Sequence, residues 1–90
     1  SLSEHFSPRE VYETYNRLAQ TGEALAEYRI GGRAAAYYAK GDVVELASVN
    51  AVVDHMASDA RRWAAIPADD LATLNRAYRK RTKEHLVIAD

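Results

Sequence analysis

The sequence predicts a mixed α+β fold in which a helix, a β-hairpin and a second helix are followed by an additional C-terminal helix. Apolar and polar side chains alternate with period two over 24–30, which indicates a half-buried strand, and Gly31-Gly32 then provides a tight turn. Capped, amphipathic stretches on both sides of this alternation indicate helices. An all-α small bundle is the alternative, because Ala, Leu and Glu in 24–30 are also good helix formers.

The first helix is predicted to begin at a capping box. In Ser7-Pro8-Arg9-Glu10 the Ser7 hydroxyl can accept from the Glu10 amide, and proline suits the first helical position. The apolar stripe of this helix consists of Val11, Tyr15, Leu18 and Ala19. Thr21-Gly22 is the expected stop, since glycine readily adopts the left-handed conformation that follows many helices.

The hairpin prediction rests on Ala26, Tyr28 and Ile30, which share one side of an extended strand. Gly31-Gly32 supplies the positive φ angles that a two-residue hairpin turn requires. Pairing across this turn predicts a second, antiparallel strand over 33–39.

A long helix is predicted over about 42 to 64. It begins at a second capping box, Asp42-Val43-Val44-Glu45. Its apolar residues recur at spacings of three and four: Val43, Leu46, Val49, Val53, Met56, Ala60 and Trp63. We interpret Trp63, at the end of this stripe, as a core or interface anchor rather than a ligand platform.

The last helix is predicted to open at Pro67, with Asp69 and Asp70 in its first turn, where negative charge meets the positive end of the helix dipole. Its narrow apolar face consists of Leu71, Leu74, Ala77 and Tyr78. Cations dominate its second half, which suits the dipole as well. A short apolar tail, Leu86–Ala89, is expected to dock or to fray.

Length and composition limit the classes of protein that fit. Ninety residues make a single domain, with a predicted helix–hairpin–helix core over 7–64 and a helical extension over 65–90. No apolar run approaches the roughly 20 residues that span a bilayer, so we expect no membrane partner. The absence of cysteine favours a reducing compartment or a particle assembled inside the cell.

The sequence contains no pattern of residues typical of a catalytic or metal site. His5, His55 and His85 lie far apart, and none has the spacing of metal ligands. His55 and Asp59 are one helical turn apart, and we interpret them as a surface hydrogen bond. Asp69-Asp70 is explained by the helix dipole. We therefore expect no catalytic residue, no metal and no cofactor, and a protein that is not an enzyme.

A basic cluster in the last helix is the strongest functional signal. Arg76, Arg79, Lys80 and Lys83 recur at spacings of three and four, so they share one face. Residues 1–60 carry five Lys/Arg against nine Asp/Glu, a net charge of −4, whereas residues 61–90 carry seven against four, a net charge of +3. The four cations are candidate contacts for a protein partner or nucleic acid; a solvated helix end is the alternative.

The order of elements resembles that of the gpW-like head-completion (head-to-tail joining) proteins of tailed bacteriophages. The matching residues are Leu18–Gly22, the alternating Ala24–Ile30, Gly32-Arg33, Tyr37 and Glu45-Leu46, within about half of the chain. The fold of that family is two helices packed on a two-stranded antiparallel hairpin.

The resemblance implies a structural connector protein of the virion, made in the host cytoplasm and located at the head-tail interface. Such a protein binds the portal or adaptor and tail-side proteins as a ring of identical subunits, and it helps to retain packaged DNA. The alternative from the residues themselves is a small regulatory or anti-host module. That module would bind nucleic acid or a host protein through its basic C-terminal helix.

Overall fold

A computed structural model describes residues 8–30 and 43–87. Within these ranges the elements are α1 (Pro8–Leu18), β1 (Leu25–Tyr28), β2 (Val43–Leu46), α2 (Val49–Met56), β3 (Trp63–Ala65) and α3 (Leu71–Thr82). A single 3₁₀ turn at Ala68–Asp70 leads directly into α3. The strands form one parallel sheet in the order β2-β1-β3. The mixed α+β class predicted from the sequence is confirmed, and the all-α alternative is wrong.

The central strand of the sheet is β1. Leu25 lies beside Val43 on one side and beside Trp63 on the other, and both ladders continue as far as Glu27. Both edges of β1 are therefore taken by parallel partners at these residues, so the predicted antiparallel hairpin has no edge available there. The predicted turn at Gly31-Gly32 and the predicted second strand over 33–39 lie outside the described residues.

The predicted long helix over 42–64 is wrong. Val43–Leu46 forms β2, the helix in this region covers only Val49–Met56, and Trp63 begins β3. The apparent capping box at 42–45 contains two β-branched valines, which favour a strand. The helix is capped instead at Ser48, whose hydroxyl accepts from the Ala51 amide at 3.1 Å.

Helices cover both faces of the sheet. On the face towards α1, Leu25 packs with Tyr12 and Tyr15, together with Val43 and Trp63 from the outer strands. The opposite face carries α2 and α3, and its cluster is built from Tyr28, Leu46, Val52, Val53, Ala64 and Leu74. Every residue of β1 is buried as a result, which is the usual condition of a parallel strand.

The first helix starts at Pro8 as predicted and ends at Leu18. A turn over residues 20–23 follows, closed by a 3.1 Å hydrogen bond from the Glu23 amide to the Gln20 carbonyl oxygen. Gly22 has a φ of +86°, as the third residue of a type II turn requires. The predicted stop is therefore in the right place, although Gly22 serves the turn rather than capping the helix. Ser7, the other half of the predicted capping box, lies outside the described residues.

The last helix lies where the sequence predicts it. Leu74 is its buried residue, Ala77 and Tyr78 pack beside it, and Lys83 ends the helix in the left-handed conformation. The following chain folds back, because the Leu86 amide donates to the Asn75 side-chain oxygen at 3.2 Å. Val87 is then 94% exposed, so the described part of the tail docks at Leu86 and not beyond it.

Replacing the α2 cap tests the corrected position of this helix. Ser48→Ala removes the acceptor for the Ala51 amide and is expected to lower the free energy of unfolding by about 1 kcal/mol. Ser48→Asp keeps an acceptor and is the control. Urea denaturation measures both. In a continuous helix over 42–64, Ser48→Ala would instead stabilise the protein by a few tenths of a kcal/mol, because alanine is the better helix former.

Candidate functional site

Three of the cations singled out by sequence lie on one exposed face of α3, and the fourth, Lys83, is exposed directly after the helix as its left-handed cap; the four are here called the basic face: Arg76, Arg79, Lys80 and Lys83. This face points away from the side of α3 that packs against α2, where Leu74, Ala77 and Tyr78 lie. The helix therefore separates an apolar inner side from a cationic outer side. The spacing of three and four, which the sequence shows, brings the four together.

The cations of the basic face have no acidic partner within ion-pair distance among residues 8–30 and 43–87. Arg76 donates to the Thr73 hydroxyl at 3.4 Å, and the Lys83 ammonium donates to the Lys80 carbonyl oxygen at 3.1 Å. Arg81, which lies outside this set, is ion-paired with Asp54 of α2. Arg81 thus pairs with α2, whereas the four cations of the basic face are exposed to solvent.

A second group of polar and aromatic side chains surrounds the start of β3, here called the Trp63 cluster: Tyr15, Glu23, Arg61 and Trp63. The Trp63 indole N–H donates to Glu23 Oε1 at 3.0 Å, and the Arg61 Nε lies 3.4 Å from Glu23 Oε2. The Arg61 guanidinium lies over the indole, 4.9 Å from the ring centroid. The edge-on ring of Tyr15, at 6.2 Å and 79°, fixes the orientation of Trp63 from the core side.

Glu23 holds the Trp63 cluster together. Its carboxylate accepts from the Gln20 amide, the indole of Trp63 and Arg61, and its carbonyl oxygen accepts from the Tyr15 hydroxyl at 2.6 Å. The Gln20 and Trp63 hydrogen bonds, with a smaller effect of the Arg61 charge, lower the pKa of the Glu23 carboxyl. Sequence reasoning places Trp63 on a helix, whereas it begins β3 and packs against the cluster beneath α1, and it misses Glu23 and Arg61.

The C-terminal end of α2 contacts cations that neighbour the basic face and the Trp63 cluster in sequence. Asp54 holds Arg81, and the next residue, His55, accepts from the Arg62 guanidinium at its carbonyl oxygen at 3.3 Å. Arg62 in turn directly follows Arg61 of the Trp63 cluster. One cation of α3 and one from the residues before β3 therefore both contact the last turn of α2.

His55 is buried and serves the fold. Its Nε2–H donates to the Trp63 carbonyl oxygen at 3.0 Å, which ties α2 to the start of β3. The predicted surface hydrogen bond to Asp59 is wrong, because the His55 ring points inward. Burial lowers the pKa of His55, an effect that the hydrogen bond to the Trp63 carbonyl oxygen opposes in part and the positive charge of Arg62 reinforces.

A buried polar pair lies beneath α1. The Tyr12 hydroxyl donates to Glu27 Oε2 at 2.7 Å, and both side chains are almost fully buried. Burial and the Glu27 carboxylate raise the pKa of Tyr12. The sequence assigns Glu27 to the polar side of an alternating strand, but in a sheet covered on both faces that side is also interior. The alternation over 24–30 therefore predicts an exposed Glu27, whereas the structure buries it.

The described residues contain no group of three His, Asp or Glu side chains placed to hold a metal ion. None of the helices in this part of the chain is long and apolar enough to cross a bilayer. Comparison with protein-family models, curated proteins and solved structures finds no match for this chain.

The buried His55 predicts a loss of stability in mild acid. Its pKa is lower in the folded than in the unfolded protein, so the unfolded state binds more protons and the free energy of unfolding falls as pH drops below the ordinary value of 6.5. His55→Gln keeps an N–H donor and is expected to weaken this pH dependence between about pH 7.5 and 5.5. Urea denaturation at several pH values measures it. His85→Gln, at an exposed histidine, is the control. An equal change in the pH dependence of the free energy of unfolding in both variants would contradict its attribution to the buried His55.

Proposed function

We propose that this protein is a small binding protein, not an enzyme, that contacts the phosphate backbone of a nucleic acid through the basic face of α3. One observation carries the proposal: three exposed cations on one face of α3 and a fourth at its C-terminal cap have no carboxylate partner in the described part of the chain. Residues three and four apart on a helix lie about 5–6 Å apart, so the four charges present one continuous surface. Such a surface neutralises several phosphates at once and releases their counterions.

The interior polar groups support binding rather than catalysis. Glu27 is engaged by Tyr12, and His55 by the Trp63 carbonyl oxygen, so both hold elements of the fold together. Every buried side-chain nitrogen or oxygen of the described residues has a hydrogen-bond partner. These groups are explained by the packing of α1 and α2 on the sheet.

A phage head-tail connector is the second candidate function. The uneven charge favours it, because a net −4 in residues 1–60 and +3 in residues 61–90 allow the acidic part of one copy to meet the basic face of the next. A head-to-tail contact of this kind builds a ring when the rotation closes. In this proposal the ring binds the portal or adaptor at the head-tail interface, and the basic face contacts packaged DNA or the neighbouring subunit.

The connector proposal rests on charge and on the residue pattern that resembles the gpW-like proteins. It does not rest on the arrangement of strands, because β1 has parallel partners where that family has an antiparallel hairpin. Nucleic-acid binding is therefore the first candidate, since the exposed cations support it directly.

Neutralising the basic face tests both candidates. The variant Arg76→Gln, Arg79→Gln, Lys80→Gln and Lys83→Gln is expected to remain folded and to lose most of its affinity for a labelled DNA oligonucleotide. Each phosphate contact contributes about 0.7–0.9 to the slope of log affinity against log salt, so the slope should shrink by about 3. Fluorescence anisotropy at several salt concentrations measures affinity and slope.

A charge-matched comparison separates the basic face from net charge. The pair Arg76→Gln and Arg79→Gln is compared with the pair Arg9→Gln and Arg17→Gln in α1, which removes the same charge elsewhere. Equal losses of DNA affinity in the two pairs would contradict a specific role for α3.

Sedimentation without DNA tests the connector proposal. Rings formed by the wild-type protein and lost in the quadruple variant would support it. A wild-type protein that stays monomeric at all salt concentrations would contradict it.

A further inference from the structure

We propose that the nucleic acid is single-stranded and that one of its bases stacks at the Trp63 cluster, against Arg61 and Trp63. This inference rests on the proposed function above and names the class of its ligand. It assigns a binding role to a cluster that the basic face of α3 does not include.

The two cationic groups lie on opposite faces of the sheet. Trp63 packs in the cluster beneath α1, with Arg61 over its ring, whereas the neighbouring Ala64 faces α2 and α3. Arg61 therefore lies with Trp63 on the α1 side, whereas α3, which carries the basic face, packs on the other side. β3 is also a terminal strand of the described sheet, so these two sides meet at a sheet edge.

Two further cations, Arg62 and Arg81, contact α2, the helix that leads into β3. Both are held at the C-terminal end of α2, one by the His55 carbonyl oxygen and the other by Asp54. In this proposal a ligand that contacts both the basic face and Arg61 runs past this helix end. The path turns from one face of the sheet to the other.

A duplex cannot follow such a path on a single small domain. Duplex DNA has a persistence length of about 50 nm, so a sharp turn around one sheet edge costs several kcal/mol. A single strand bends freely and exposes its bases. The arrangement of cations on two faces therefore favours a single strand, although either nucleic acid could contact α3 alone.

The Trp63 cluster has the features of a stacking site. The Tyr15 ring and the hydrogen bond to Glu23 hold the indole in a fixed orientation before any ligand binds. The Arg61 side chain, whose guanidinium lies above the indole, is 58% exposed. Proteins that bind single strands combine a cationic path with aromatic rings and arginines on which bases stack. A base can stack on the planar Arg61 guanidinium, or displace it and stack on the indole directly.

Trp63 is the only tryptophan of the chain and therefore reports on the site directly. Three probes are titrated into the wild-type protein: an oligothymidine of about 20 nucleotides, an abasic oligonucleotide of the same length and a duplex of the same length. We expect oligothymidine to quench Trp63 fluorescence and to bind about tenfold more tightly than the abasic strand, which has phosphates but no bases. The duplex is expected to bind without this quenching.

Arg61→Gln removes the guanidinium above the indole, together with its ion pair to Glu23, and leaves the Trp63 and Glu23 side chains themselves unchanged. We expect it to weaken oligothymidine binding by about fivefold to tenfold and to leave duplex binding nearly unchanged. Arg9→Gln, which removes the same charge in the first turn of α1, is the matched control and should affect neither ligand.

The outcomes separate this inference from the proposed function. Binding that depends on the basic face but shows equal affinity for oligothymidine and the abasic strand, no quenching and no effect of Arg61→Gln overturns the stacking site alone. Tighter binding of the duplex than of oligothymidine overturns the single-stranded ligand. No binding of any of the three probes overturns the proposed function itself.

Discussion

The position of β1 at the centre of the parallel sheet is the constraint on which the rest of the structure depends. Its two edges are occupied by β2 and β3, and its two faces are covered by helices. A strand enclosed on all sides has no solvent-facing side, so its one charged residue, Glu27, is buried and needs the Tyr12 hydroxyl. The same enclosure forces β2 and β3 to be linked across β1, and α2 is the helix that makes this connection.

The candidate binding surfaces follow from this connection. Because α2 leads from β2 towards the start of β3, its C-terminal end lies beside the first residues of β3, where the Arg62 guanidinium and the His55 ring make their contacts. α3 packs on the same face as α2, and the Arg81–Asp54 ion pair aligns their C-terminal ends. Arg62 and Arg81, from two distant parts of the chain, therefore both contact α2, while the packing of α3 through Leu74 leaves its basic face in solvent.

The sequence predicts the local features well and the non-local ones poorly. Pro8 and Pro67 mark helix starts through their own backbone chemistry, and the spacing of the four cations of α3 depends only on helical geometry. The apolar spacing over 42–64, by contrast, fits a helix while the chain alternates between strand, helix and strand. Short apolar runs match either period, and the choice is made by contacts with β1 that lie far away in sequence. The Trp63 cluster is missed for the same reason, since Glu23 and Trp63 are 40 residues apart.

Interstrand nuclear Overhauser effects measured on uniformly labelled protein test the central position of β1 most directly. Backbone contacts from residues 25–27 to both 43–45 and 63–65, in a parallel pattern, are the predicted result. Backbone contacts from 25–30 to 33–39 across Gly31-Gly32, with a continuous helical pattern through 43–63, would contradict it. That result would restore the antiparallel hairpin and separate the basic face of α3 from the Trp63 cluster.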